Sequence, residues 1–310
     1  GTALGPVERD SAAARATLVT LVQPIFASGS TPLQVALAEA VGRLRVMEAG
    51  PTLLAKLQSS PTTEIRIAAL RALVAMRHER VADAVRGALQ DKEPTVRMAA
   101  LTAIPGLNLA EATTTELLSS VIGKGSVAEQ QSALAAMGQV QGTTGREAMT
   151  RLVTQLEQGK LQPEIQLDVA EAARATKDPA LVARLEKLAN RPGAKPVELY
   201  ADALHGGDAR RGARVVFQAP AAQCTRCHSF GGAGANVGPN LSGVASRLQR
   251  EQLLEALVDP SARISPGFGP VQLTLKNGKK LFGTLKEETP TYVVVDVNGD
   301  QRVAKSDIAT

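Results

Sequence analysis

Over the first two hundred residues, apolar positions recur at helical spacing, and one six-residue phrase returns five times. It reads Ala36-Leu37-Ala38-Glu39-Ala40-Val41, then Ala68-Ala69-Leu70-Arg71-Ala72-Leu73, then Ala99-Ala100-Leu101-Thr102-Ala103-Ile104. Two weaker copies are Ser132-Ala133-Leu134-Ala135-Ala136-Met137 and Asp168-Val169-Ala170-Glu171-Ala172-Ala173. The second residues of the phrases fall at 37, 69, 100, 133 and 169, so successive copies lie about one helix pair apart. Between them run other amphipathic segments, such as Val81 to Leu89, Thr115 to Ile122, Arg146 to Leu156 and Leu181 to Leu188. The pattern predicts two antiparallel helices per unit, the Ala-rich ones in close contact with their neighbours. Turns such as Asp91-Lys92-Glu93-Pro94 and Leu161-Gln162-Pro163-Glu164 should open helices, since proline fits the first turn of a helix and not its interior.

The stretch Asn190-Arg191-Pro192-Gly193-Ala194-Lys195-Pro196 breaks this rhythm. Two further helices are expected beyond it, one opened by Asp208 as N-cap and one from Gln249 to Val258. Past Pro266 the period becomes two. Val271, Leu273 and Leu275 lead to the turn Asn277-Gly278, Leu281 to Lys286 returns, Tyr292 to Val297 leads to Asn298-Gly299, and Arg302 to Ala304 closes a second hairpin. The expected fold is mainly α: a helical-repeat domain over 1–192, a small helical domain over 193–265, and an antiparallel β extension over 266–310 packed on it.

Composition sharpens this division. There is no Trp, and of the seven Phe and Tyr residues only Phe26 precedes position 200. The repeats must pack with aliphatic side chains, while the second part has flat side chains to set around something. Methionines 47, 76, 98, 137 and 149 read as filling in the repeats, and His78 as a solvated residue at a helix C-terminus. Charge is spread thinly: 22 basic against 19 acidic side chains over residues 1–195, and 13 against 11 over 196–310. That distribution gives no electrostatic footprint for nucleic acid. No stretch reaches the roughly 18 apolar residues of a membrane span. GTALGPVERD lacks the layout of a signal peptide, so any export signal is expected to have been removed or left out.

Both cysteines fall in Cys224-Thr225-Arg226-Cys227-His228. Cys-x-x-Cys-His is the attachment pattern of c-type haem: two thiols on one turn reach two vinyl groups, and the adjacent imidazole lies under the iron. Three alternatives compete. A thioredoxin-like dithiol would follow a strand, which nothing upstream suggests; a zinc site would want a fourth ligand; a local disulfide is the plainest option. The sequence Gly231-Gly232-Ala233-Gly234 follows this turn and no strand, so it reads as a loop and not as a dinucleotide fingerprint. No Ser-His-Asp set, paired metal carboxylates or P-loop supports hydrolase or kinase chemistry.

The repeats resemble the HEAT family in its short version over residues 5 to 192. The segment Gly207 to Phe217, the cysteine motif and Gly238-Pro239-Asn240-Leu241 resemble a class I cytochrome c. Together with Leu253 to Ser261, Ser265-Pro266-Gly267-Phe268 and Leu275 to Gly278, the region 205–308 is similar to the haem-binding domain of the Pirellula/Verrucomicrobium type. In that family the cytochrome often follows helical repeats, which can themselves follow a propeller resembling quinoprotein sugar dehydrogenases; this sequence has no propeller. The resemblance implies one covalent haem c held by Cys224 and Cys227, with His228 as proximal ligand oriented by the Pro239 carbonyl. Phe230, Gly238, Leu241, Leu253 and Phe268 complete the implied haem contacts. It also implies a redox partner protein or fused dehydrogenase domain and a periplasmic or other extracytoplasmic location. One departure stands out: the usual distal Met would come from Ser265 to Val271, yet no Met follows position 149. The sixth ligand is unassigned, with His205, Lys279, Lys280 or a Met from elsewhere as candidates. Three functions follow: a single-electron carrier, a haem sensor with an open site, or a scaffold with a structural haem.

Overall fold

The computed structural model describes residues 11–190, 192–235, 237–265 and 267–309. The chain divides into two compact units, Gly1–Leu188 and Ala189–Thr310. The expected class holds: repeated helices come first, followed by a helical region and small antiparallel sheets.

The first unit is built from α1 (Ser11–Ser28), α2 (Thr31–Arg43), α3 (Gly50–Ser59), α4 (Thr63–Met76), α5 (Val81–Ala88) and α6 (Pro94–Ala103). It continues with α7 (Glu111–Val121), α8 (Val127–Met137), α9 (Thr143–Glu157), α10 (Pro163–Ala175) and α11 (Pro179–Ala189). Prolines stand in the first turns of α2, α3, α6 and α10, where the absent N–H has no intrahelical partner to lose. The Ala-rich phrases lie along α2, α4, α6, α8 and α10, which pack one on the next as an inner row. Each pairs with a first helix: α1 with α2, α3 with α4, and so on to α9 with α10. Leu70, Leu73, Leu101, Leu118, Leu134, Met137 and Met149 are fully buried in the continuous core this creates.

Small side chains set the spacing of the inner row. A Cβ on Gly42 of α2 would lie 2.9 Å from Ala72 Cα of α4, and one on Gly138, just past α8, 2.7 Å from the Ala172 carbonyl oxygen of α10. Both glycines occupy the same place in their repeat and face the same place in the next.

A second regularity recurs five times. Three residues before the second position of each phrase stands Gln34, Arg66, Arg97, Gln130 or Gln166. Each donates to a carbonyl of the loop ahead of its helix: Gln34 to Gly29 (2.7 Å), Arg66 to Ser60 (2.8 Å), Arg97 to Asp91 (2.8 Å), Gln130 to Gly125 (2.8 Å) and Gln166 to Leu161 (3.0 Å). Arg66, almost wholly buried, also forms a two-pronged pair with Asp91 of the following loop at 2.8 and 3.1 Å. Arg97 reaches forward in the same way to Glu129 at 2.7 Å. One side chain thus fastens its own loop and links to the next repeat. Burial pushes the Glu129 carboxyl up, but hydrogen bonds from Arg97 and Ser126 outweigh it and hold the group below the usual carboxylate range.

One helix departs from the usual placement of proline, and the expectation for His78 fails. Pro24 lies inside α1. It sits on the exposed side, and the Thr20 carbonyl it leaves without an N–H is on an exposed residue, so water can take the place of the lost bond. His78 is buried, not solvated. Arg77 adopts a left-handed conformation (φ 51°), and the amides of Arg77 and His78 return to the carbonyls of Val74 and Leu73, a helix-ending motif that folds the chain back inward. The His78 ring then lies against Gly50, where a Cβ would come within 2.3 Å of Nε2, and its Nδ1 accepts from the Arg80 amide at 3.1 Å.

In the second unit, the short α12 (Pro196–Leu199) packs on α14 (Arg250–Val258), and α13 (Ala209–Gln218) packs on the cysteine turn. A two-stranded ladder, β1 (Ser229–Phe230) with β2 (Ala233–Gly234), forms where a loop was expected. The C-terminal part is a meander of β3 (Gly269–Thr274), β4 (Lys280–Glu288), β5 (Tyr292–Asp296) and β6 (Asp300–Ala304). The two expected hairpins are joined into one sheet, because β4 is long enough to pair with β3 at its start and with β5 beyond Thr284. Its core is its own: Leu273, Leu281, Val293, Val295 and Val303.

Candidate haem site

Three short elements bring the motif together. Asp208 caps α13 by accepting from the Arg211 amide at 2.7 Å; hydrogen bonds from the amides of Arg211 and Arg210, with nearby arginine charge, hold its carboxyl below the usual range. The one-turn helix Cys224–Arg226 follows α13, and the His228 amide closes onto the Cys224 carbonyl at 3.0 Å. Both thiols and the imidazole are therefore carried on consecutive turns of backbone. Cys224 and Cys227 are both free, with Cys227 exposed and Cys224 half-buried.

His228 Nδ1 lies 2.8 Å from the Pro239 carbonyl oxygen. A carbonyl can only accept, so Nδ1 carries the hydrogen, and it is Nε2 that the neutral ring leaves with the lone pair required of a metal ligand. Three backbone bonds hold the loop that supplies this carbonyl: Gly238 to Cys227 (2.6 Å), Leu241 to Ser229 (2.9 Å) and Ala235 to Thr225 (3.0 Å), each written amide to carbonyl. Gly238 stands against the ring, where a Cβ would come 2.7 Å from Cε1. Gly234 (φ 97°) lets the return strand pass close to the His228 carbonyl.

Residues that the motif alone did not single out complete the bracing. The Arg247 guanidinium donates to the carbonyls of Asn240 (2.8 Å) and Ser242 (3.0 Å), and the Gly231 amide donates to Ser242 Oγ at 2.8 Å. Arg247 stands eight residues after Pro239, and no pattern in the sequence marks it as a partner of that loop. Phe217 and Phe230 meet edge to face, with centroids 5.8 Å apart. Phe230, Gly238, Pro239, Leu241 and Leu253 are half-buried, while Phe268 is exposed in the stretch ahead of β3. The described contacts gather His228, Gly238, Pro239 and Leu241; none of them joins Leu253 or Phe268 to His228. His205 is exposed in the turn before α13, and Lys279 and Lys280 are exposed in the sheet.

These residues suit a large apolar group that the chain itself does not provide. Between Leu185 and Leu273, no described apolar residue is buried. Leu257 is 80% exposed, Val237 74% and Phe217 48%, although this region contains α12, α13 and α14 and a loop held by backbone bonds to the cysteine turn. Ser229 Oγ, adjacent to His228, is buried without a partner in the protein. Among the described residues, no three His, Cys, Asp or Glu side chains gather into a metal cluster, so the donor set is that of a single imidazole and two thiols. Two thiols beside one imidazole fit covalent haem.

The comparisons agree with the geometry. The Cytochrome c family matches residues 209–286, through the cysteine motif and α14 into β4. HEAT repeats match residues 18–105 and 50–138. The chain thus contains HEAT repeats and a cytochrome c domain, which supports a haem-based electron carrier and implies covalently bound haem c. No curated protein matches. No described helix is long and apolar enough to cross a membrane.

Proposed function

We propose that the chain is a monohaem c-type cytochrome module, carrying single electrons from a dehydrogenase partner or fused domain to a respiratory acceptor, with the helical repeats serving as its docking arm. The observation that carries this reading is the His228 ring, fixed by the Pro239 carbonyl beside two free thiols in a region without an apolar core. When bound, haem c supplies a one-electron iron couple. The chain does the rest. Cys224 and Cys227 would hold the group through their thiols, and His228 Nε2 would donate to its iron. The Pro239 carbonyl, accepting from Nδ1, raises the basicity of the ring, and Arg247 holds the loop that carries it. Phe217 and Phe230 offer an apolar wall. With a single Cys-x-x-Cys-His in the sequence, one haem is expected. The phrases shared with the Pirellula/Verrucomicrobium type support assignment to that subtype, and covalent attachment supports a place outside the cytoplasmic membrane, in the periplasm or its equivalent.

The test is expression in a host with cytochrome c maturation, followed by denaturation and acid-acetone extraction. Haem should stay on the polypeptide, and Cys224→Ser with Cys227→Ser should abolish it. Haem that leaves the chain, or survives the double substitution, overturns the reading.

A further inference from the structure

Resting on the haem assignment above, we propose that the second unit leaves the sixth position of the iron to an exogenous diatomic ligand of the carbon monoxide and nitric oxide class. The residues of the whole chain bear on this.

A protein donor to haem iron is a thioether, an imidazole, a thiolate, a phenolate or a deprotonated amine that can leave its own surroundings. Both cysteines belong to the attachment motif, the Tyr292 hydroxyl donates to Glu287 at 3.0 Å, and the exposed Tyr200 would offer a phenolate, which favours ferric over ferrous iron. All five methionines lie in the first unit. Met76, Met137 and Met149 are at most 3% exposed in its core, and Met98 packs against that core. Withdrawing one would open a cavity in the repeat core, set against a single coordination bond. Met47 alone is exposed.

Within the second unit the only imidazole besides His228 is His205. Its side chain is exposed, and the preceding Leu204 carbonyl is held by Arg250 Nη1 at 3.0 Å, which ties this turn to the start of α14. The amines are no better placed. Lys305 pairs with Glu288 at 2.6 Å and Lys286 with Asp296 at 3.8 Å, while Lys276, Lys279 and Lys280 are exposed at the β3–β4 end of the sheet and Lys195 is exposed ahead of α12. A lysine ligand must also lose its proton and its hydration.

The loop after α14, which by resemblance would deliver the distal thioether, contains Ser261, Ala262, Arg263, Ile264 and Ser265, all exposed. None of these side chains is an iron donor, and Ile264 and Phe268 leave exposed apolar surface on this stretch. A neutral diatomic ligand that accepts electron density from ferrous iron suits such a site, since it needs no charged partner.

The experiment uses the full chain carrying covalent haem, which denaturing electrophoresis with haem staining verifies first. Absence of haem at this stage overturns the proposed function, and this inference with it. The ferrous protein is then titrated with carbon monoxide while its Soret band is followed. The expected result is saturable uptake of one carbon monoxide per haem, with affinity unchanged in His205→Ala and Met47→Leu. Refusal of carbon monoxide by haem-loaded protein, or a red-edge sulfur-to-iron charge-transfer band in the oxidised form, overturns the inference and leaves the haem assignment standing. So does a gain in affinity of about tenfold or more in either variant, because that residue would then be competing for the iron.

Discussion

The repeats and the region around the cysteines are both made of short helices, yet they close in opposite ways. In the first unit every inner helix has a neighbour that takes its apolar stripe, and Ala, Gly and Leu fill the gap so closely that not even a methyl would fit at Gly42 or Gly138. Between Leu185 and Leu273 the caps, turns and backbone bonds are in place, but no described apolar side chain is buried. The first region carries its complete core in its own sequence. The second has the scaffold of a core whose centre is another molecule, so ordering its backbone is offset only when that molecule is present.

This contrast can be broken most forcefully at Arg66. Its guanidinium is almost wholly buried and serves Ser60 and Asp91 at once, so Arg66→Ala leaves a carboxylate and a carbonyl without their donor. A loss of about 3–5 kcal/mol is expected for a broken buried pair. It should register in denaturant unfolding of the repeats, while the haem spectrum of the second unit stays as it was. A matching loss of haem absorbance would show that the two regions are not energetically separate.

Gly238→Ala tests the other region. The added methyl meets the His228 ring and must displace it from the Pro239 carbonyl, at a cost of about 1–3 kcal/mol by overpacking. With that hydrogen bond weakened the imidazole becomes a poorer donor, so the midpoint potential should rise. A potential equal to wild type would mean the carbonyl has no part in tuning the ligand.

Acid should act mainly on the repeats. Glu129 is held below its ordinary range, as is Glu157 by its hydrogen bond from Arg184. A depressed carboxylate contributes stability that is fully present above its unfolded pKa, near 4.3, and lost as pH falls through the lower folded value. Unfolding of the repeats should therefore become easier below about pH 4, with a shallower pH dependence in Glu129→Gln. An unchanged slope in that variant would remove Glu129 from the account.

The smallest effect is expected from cutting the chain. A protein starting at Pro196 should keep the haem spectrum of the full chain, because the described bonds around His228 all arise from residues beyond Asp208. A changed spectrum would mean that the repeats help to complete the haem pocket.

Much of this was readable in residue order. The five phrases predicted the inner row because helix periodicity and residue size are local properties, and Cys224, Cys227 and His228 are set by covalent spacing on one turn. The loop-fastening side chains Gln34, Arg66, Arg97, Gln130 and Gln166 were present in the same alignment, but amide and guanidinium groups read as ordinary polar helix residues until their carbonyl partners are seen. His78 was misjudged for a related reason: its burial follows from the left-handed turn at Arg77, a conformation that arginine rarely adopts and that no side-chain pattern announced.

The sequence by itself determined the period of the repeats, the strand alternation after 266 and the spacing of the cysteine motif. These depend on neighbours a few residues apart. Tertiary structure alone decided which imidazole nitrogen carries the hydrogen, because the Pro239 carbonyl that fixes it lies eleven residues away. It alone brought Arg247 onto that same loop, merged two hairpins into one sheet and left the helices of the second unit without a core. Each of these rests on hydrogen-bond geometry and burial between segments distant in the chain, and neither quantity exists until the backbone has folded.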